Sequence, residues 1–434
     1  MSRTAARTSK TVILLVLLLS FSGTQILGED EAMVASICEE VNGIRGLPFL
    51  FPVPHKLMTR EQLRDYLLGE GDDTESEVAQ KVLVAFHAWS PAENLTETVM
   101  AFYAGSVEGF YSDETHSLSV VIDSHEPVPY RKMIIAHELT HALQDQHFNL
   151  TLINEQIEEA GGDEALALLS LIEGDATLVQ MIYVADRLSR HDQREIEEYL
   201  PPDGGVPPLI EEMLFFPYVY GTDFVAYLHQ EGGWGAVDQA YTNPPTTTEQ
   251  ILHPKKYLEG EGPIPLELDF IPSLGNWTTI DEDALGEFGI RLVLGSNLSK
   301  EDAKRAAEGW GGDYYLCSEH EGRKVLAFIS EWDSRRDAAE FYRAYWRHVR
   351  EAGATSSQRF NLCPPNVWLP VPGVQKWEID DARGLAIWDG TSVFIAETDD
   401  PEMFRMIEHQ AIESLGDHRP QPISCPTRCI GDLC

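Results

Sequence analysis

The sequence predicts an α+β protein. A mainly helical N-terminal domain carries a β-hairpin ahead of its most informative helix, and an α+β C-terminal domain follows. Three observations lead there. Apolar residues recur at helical spacing over Pro129 to His147 and again from about Asp163 to Leu188. Two strand-like runs, Val107 to Tyr111 and Ser117 to Ile122, flank the polar turn Ser112-Asp113-Glu114-Thr115 just before the first of these helices. Beyond a Pro-rich stretch, Gly260 to Pro272, strands alternate with helices.

Composition bounds the rest. The 434 residues hold 32 Lys and Arg against 71 Asp and Glu, a net charge near −39, with 43% hydrophobic residues. That is core enough for two or three domains and argues against disorder or a small disulfide scaffold. So negative a field repels phosphate backbones and anionic lipid, which argues against nucleic acid as a partner.

The first 28 residues read as an export signal or signal anchor. Arg3, Arg7 and Lys10 form a basic region, Thr11 to Phe21 an apolar one, and small residues follow at Ser22, Gly23 and Gly28. The expected location is secreted or extracytoplasmic, with any membrane tether confined to this segment, since no later stretch reads as long and apolar enough to span a bilayer. Cys38, Cys317, Cys363, Cys425, Cys429 and Cys434 are even in number, and disulfides are their expected state in that compartment, with the pairing open. Sequons stand at Asn94, Asn149, Asn276 and Asn297.

Residues 29–262 form the expected first domain. Thr59 and Gln62 make a capping box, and helices are expected near Glu75 to Ala88 and Glu93 to Tyr103. After the hairpin and the two long helices, further helices are expected over Leu209 to Gln230 and Trp234 to Tyr241. The second domain, 263–434, has an expected helix through Lys300 to Glu308, strands at Asp313 to Cys317 and Lys324 to Ile329, a helix from Ser334 to Arg350, strands at Gly384 to Trp388 and Thr391 to Ala396, and a Cys-rich tail.

The chemistry lies in Ile134-Ile135-Ala136-His137-Glu138-Leu139-Thr140-His141. Residues four apart share a helix face, so His137 and His141 can both turn an imidazole toward one ion. Glu138, about a hundred degrees round, reaches a water beside it. This HExxH spacing is that of zinc hydrolases, which need a third protein ligand. His147 occupies the position of the last histidine in HExxHxxGxxH, but the glycine that would turn the chain back is replaced by Gln144, a good helix former. Glu173 is the stronger candidate. It interrupts an apolar helix, Ala165 to Ala176, where an unpaired carboxylate would cost several kcal/mol, and Gly174 beside it leaves room for a second helix to approach.

His137 to His141 followed by Asp145 resembles the active-site helix of thermolysin-like metallopeptidases, and Glu173 resembles the glutamate ligand of the gluzincins. The resemblance is local, from Ser117 to about Leu188. The segment Leu171-Ile172-Glu173-Gly174-Asp175-Ala176 is similar to that of compact exported bacterial and archaeal gluzincins. It implies a zincin-like catalytic domain holding Zn²⁺ on His137, His141 and Glu173, and a strand ending at Ile122 as the edge that receives substrate. It also implies an oxyanion donor from a later helix, for which Tyr220 and His253 are the first choices. Asp145 is expected to accept the free N–H of His141, with Asp175 and Thr177 as other partners for a ligand histidine.

The expected function is that of an exported zinc metallopeptidase acting on peptide or protein substrates through a zinc-activated water, with Glu138 as general base. The alternative is a non-catalytic cell-surface binding or assembly protein with a structural or vestigial zinc site. Its binding surface would be the aromatic-rich C-terminal domain, with Trp310, Tyr314, Tyr315, Trp332, Tyr342, Tyr345 and Trp346.

Overall fold

Helix-forming and strand-forming stretches segregate along the chain, and the architecture is α+β, with a helical N-terminal part and a sheet-rich C-terminal part. The computed structural model describes residues 28–63, 73–121, 126–199, 207–268, 275–356 and 373–416. The basic and apolar regions of the expected export segment, Ile122, Cys363 and the Cys-rich tail lie outside the described residues.

The N-terminal part runs α1 (Gly28–Arg45), β1 (His55–Met58), α2 (Asp73–Ala85), α3 (Leu95–Ser106), β2 (Gly109–Ser112), β3 (Ser117–Val121), α4 (Val128–Phe148), α5 (Leu150–Glu159), α6 (Gly162–Arg187) and α7 (Arg190–Tyr199). Then follow α8 (Pro208–Gly232), α9 (Trp234–Thr242), α10 (Thr248–Leu252) and α11 (Pro254–Glu259). Thr59 and Gln62 form the reciprocal capping box, at 2.8 and 3.2 Å. The strand order is β1-β3-β2, with β2 antiparallel and β1 parallel to β3. The strand expected to be the substrate-receiving edge, β3, is therefore the central one, and β2 is the edge beside it. The reason is β1, whose pairing with β3 joins residues more than sixty positions apart and leaves no local signal.

α4, α6 and α8 are the long helices of this part. α6 buries Val179 and Tyr183 beside α1 and α4, and Leu166, Ala167, Leu169 and Leu171 beside α8, α9 and α10. An apolar surface on both sides makes α6 long and apolar enough to cross a membrane by composition, which corrects the expectation that no later segment qualifies; 72% of its apolar window is buried within the protein. Gly174 is where it meets α8. A Cβ there would lie 2.2 Å from the Gly221 backbone, and one on Gly221 would lie 2.2 Å from the Ser170 carbonyl oxygen, so only glycines permit this crossing.

The C-terminal part runs β4 (Thr278–Asp283), α12 (Gly286–Gly295), α13 (Lys300–Ala307), β5 (Trp310–His320), β6 (Arg323–Trp332), α14 (Arg335–Glu351), β7 (Thr355–Ser356), β8 (Gly373–Ile379), β9 (Ala382–Asp389), β10 (Ser392–Thr398) and α15 (Pro401–Gly416). The seven strands form one antiparallel sheet ordered β4-β5-β6-β10-β9-β8-β7. Alternation assigns its faces. Tyr315, Cys317, Leu326, Phe328, Val393 and Ile395 point to one side, under α14. Val325, Ala327, Leu385, Ile387, Phe394 and Ala396 point to the other, under Met403, Phe404 and Ile407 of α15. The first of these cores also takes Val82, Leu83, Phe86, Leu95 and Val99 from α2, α3 and the turn between them, so this packing crosses the break expected near residue 262.

Trp310, Tyr315, Trp332 and Tyr345 are among the largest fully buried side chains, so they belong to the core and not to a binding face. Cys38 and Cys317 are free thiols, Cys317 being walled in by that core. The expectation of disulfides therefore does not hold for these two. Asn297 donates its amide to the His87 carbonyl at 2.9 Å.

Candidate metal centre

α4 enters through Pro127 and carries Pro129 in its first turn, where the missing N–H has no helical partner to lose. It ends at Asn149, which adopts a left-handed conformation (φ 62°), donates its N–H to the Asp145 carbonyl and accepts from Leu152 N–H to open α5. Between these stops the helix runs unbroken through Gln144, and His147 stays helical and half-buried, with Nε2 2.8 Å from the Pro48 carbonyl oxygen. It is no ligand.

His137 and His141 project from one face of α4 onto Glu173 of α6. His137 Nε2 lies 3.2 Å from Glu173 Oε2, His141 Nε2 lies 3.5 Å from the same oxygen, and the two Nε2 atoms are 3.1 Å apart. Ligands about 2.1 Å from a tetrahedral zinc stand roughly 3.4 Å from one another, so the three atoms have the spacing of one face of a coordination tetrahedron. Two imidazole nitrogens and a carboxylate oxygen are also a donor set that suits zinc. All three residues are buried.

The electrostatics divide the two neighbouring glutamates. Burial pushes Glu138 above the usual carboxylate range, and Glu173 nearby adds to this although the imidazoles oppose it. Burial would raise Glu173 as well, but His141 and His137 hold it well below the ordinary range. For His141, burial opposes the charged form, yet the Glu173 carboxylate prevails and pushes its pKa up to about 9. β2 lies along the Glu138 side: the Tyr111 N–H bonds the Glu138 carboxylate, and a Cβ on Gly109 would touch Glu138 Cγ at 3.4 Å.

Asp145 does not take the free N–H of His141. It accepts from Tyr111 Oη and pairs with His116 Nδ1, both at 2.7 Å, and accepts from Leu150 N–H at 3.2 Å. The group on His141 Nδ1 is Gln144 Oε1, at 2.8 Å, and Asp175 meets His141 only through that glutamine. Thr177 Oγ1 is buried with no hydrogen-bond partner.

Tyr220 packs on Phe216 and Phe288 under Arg291, and His253 pairs with Glu287 at 2.9 Å. Neither touches His137, Glu138, His141 or Glu173 among the described contacts. The tyrosine brought beside the ligands is Tyr218, its ring 6.1 Å from that of His137 and 40% exposed. Tyr218 and Tyr220 are two residues apart on α8, about 200° round the helix, so they cannot face the same site. No sequence signal separates Tyr218 from Tyr220, because which face of α8 meets α6 is set by the Gly174–Gly221 approach.

Two other groups of acidic or histidine side chains cluster among the described residues. His191, Asp192 and Glu195 sit on the surface of α7. Glu249, Glu261 and Asp333 surround Lys256 Nζ at 2.7, 2.6 and 2.9 Å, so the chain's own ammonium fills that cage.

A family profile described as a domain of unknown function (DUF8575) matches residues 276–407, which is the C-terminal sheet with its helices. No curated protein matches the chain, and no solved structure does.

Proposed function

We propose that this chain is a zinc-dependent metallopeptidase of gluzincin type, with a zincin-like N-terminal domain. The observation that carries the reading is the convergence of His137 Nε2, His141 Nε2 and Glu173 Oε2 at 3.1 to 3.5 Å, with a second buried acid, Glu138, beside them. Zinc held there would polarise a scissile carbonyl and lower the pKa of water from about 15.7 to about 7.

The protein's own groups supply the rest. Glu138, raised in proton affinity by burial, is suited to take a proton from the attacking water and deliver it to the leaving amine. Tyr218 is the hydroxyl best placed to meet a developing oxyanion. β2 pairs with β3 on one side among the described residues, and its other edge, where the Tyr111 N–H meets Glu138, runs beside the site in the position to align an extended substrate, which favours a peptide over a small amide. An exported location fits the N-terminal basic and apolar pattern and belongs to the same proposal.

Glu138→Gln is expected to keep one zinc per chain and to lose turnover of a mixed peptide library by about 100-fold or more, because a general base contributes about 10² to 10⁴. His137→Ala is expected to lose both metal and turnover. Metal analysis beside the cleavage assay decides. A Glu138→Gln variant with most of its activity, or a wild-type chain without zinc, overturns the reading.

A further inference from the structure

The ligand His141 is held from behind by a buried relay that starts one turn further along the same helix. Gln144, 1% exposed, presents Oε1 to His141 Nδ1 at 2.8 Å. Its Nε2 donates to the Ile172 carbonyl at 2.9 Å and to Asp175 Oδ2 at 3.3 Å. Those two acceptors decide which way the amide faces. Turned over, it would set its oxygen against a carbonyl and a carboxylate, and its amino group would have only the ring to meet.

With Oε1 toward the ring, Nδ1 must carry the hydrogen. The lone pair is then left on Nε2, the atom that faces His137 and Glu173. Asp175 is in turn fully engaged. Tyr241 Oη donates to its Oδ2 at 2.9 Å, and Arg45 Nε donates to its Oδ1 at 2.8 Å. Arg45 is itself buried, 2.7 Å from Asp238 and with its guanidinium 4.6 Å from the Trp234 ring centroid.

We propose that Gln144 is a positioning residue that selects the Nε2-ligating tautomer of His141, and that Asp175, clamped by Tyr241 and Arg45, holds Gln144 in the orientation this requires. The proposal rests on the zinc reading of the site. It gives a metal-directed task to the residue that stands where a chain-turning glycine would be in the HExxHxxGxxH pattern. It also makes α1, which supplies no ligand, part of the metal centre through Arg45.

The test compares zinc dissociation constants of the full wild-type chain and Gln144→Leu by competition with a chromogenic chelator, using zinc alone. Leucine keeps the approximate size and removes the acceptor. Loss of such an outer partner weakens metal binding by about 10- to 100-fold, and that loss is expected here with the far-UV circular dichroism of the metal-free protein retained. Histidine side-chain NMR on the zinc-loaded wild type needs no variant and is expected to show His141 protonated on Nδ1. Unaltered affinity in Gln144→Leu, or a bare Nδ1 on His141, overturns the relay while leaving the zinc site standing. A wild-type chain that takes up no zinc overturns the site and the relay together.

Discussion

Glu138 and Glu173 are both buried within one small site, yet their surroundings drive them in opposite directions, Glu138 upward and Glu173 downward. Groups pushed apart in this way are suited to different tasks, and under the proposed function the low one would serve as ligand and the high one as proton acceptor. Tyr218→Phe is expected to lower kcat by about 10² or more with KM little changed, in steady-state kinetics on a cleaved peptide, because removing one oxyanion donor costs on that scale. Tyr220→Phe, in the packed cluster around Phe288, is expected to leave kcat within a few-fold. The histidines were legible because their relation is local, four residues on one helix. Glu173 was legible because a charge in an apolar run needs a reason. Gln144 and Tyr218 were not, since the task of each depends on a partner brought from another helix: Asp175 is 31 positions from Gln144, and Tyr218 reaches His137 from α8.

At the scale of elements, the α6–α8 crossing governs where Glu173 sits, because that residue immediately precedes the glycine at the point of closest approach. Gly174→Ala is expected to destabilise the protein by about 3 kcal/mol or more, since the added methyl meets backbone that cannot yield, and to weaken zinc binding as α8 is forced away. Denaturant unfolding with and without zinc measures both effects. An unchanged unfolding midpoint would show that the two helices do not approach so closely. The long helices were readable from periodicity, as were β5, β6, β9 and β10 near their centres. The edge strands β4 and β7, with β8 next to β7, escaped, because strands at the margin of a sheet are half solvated and carry little hydrophobic pattern. The central position of β3 could not be read at all, since β1 joins it from a distant part of the chain.

For the whole molecule, the composition and the α+β class were legible. The packing of α2 and α3 against the C-terminal sheet was not, because their apolar faces do not say which partner they meet. His348 is a test of that packing. It lies on α14, with Nε2 2.8 Å from the Phe86 carbonyl oxygen, and Asn297 approaches its Nδ1 at 3.3 Å. Burial lowers its pKa to about 4 from 6.5. The unfolded chain therefore binds the proton more readily, so stability from this group is present above about pH 6.5 and is lost as pH falls toward about 4. Its loss would amount to about 3 kcal/mol at most. His348→Gln is expected to flatten that acid limb in guanidinium unfolding measured at pH 7 and pH 4.5, and parallel curves for the two proteins would refute the assignment. A last consequence follows from the composition of α6. Before folding, so greasy a segment is a candidate for lateral escape into any bilayer it meets. An acidic side chain at mid-helix resists that transfer by about 3 kcal/mol, so Glu173 and Asp175 would help to keep the nascent polypeptide in water until its partners cover it.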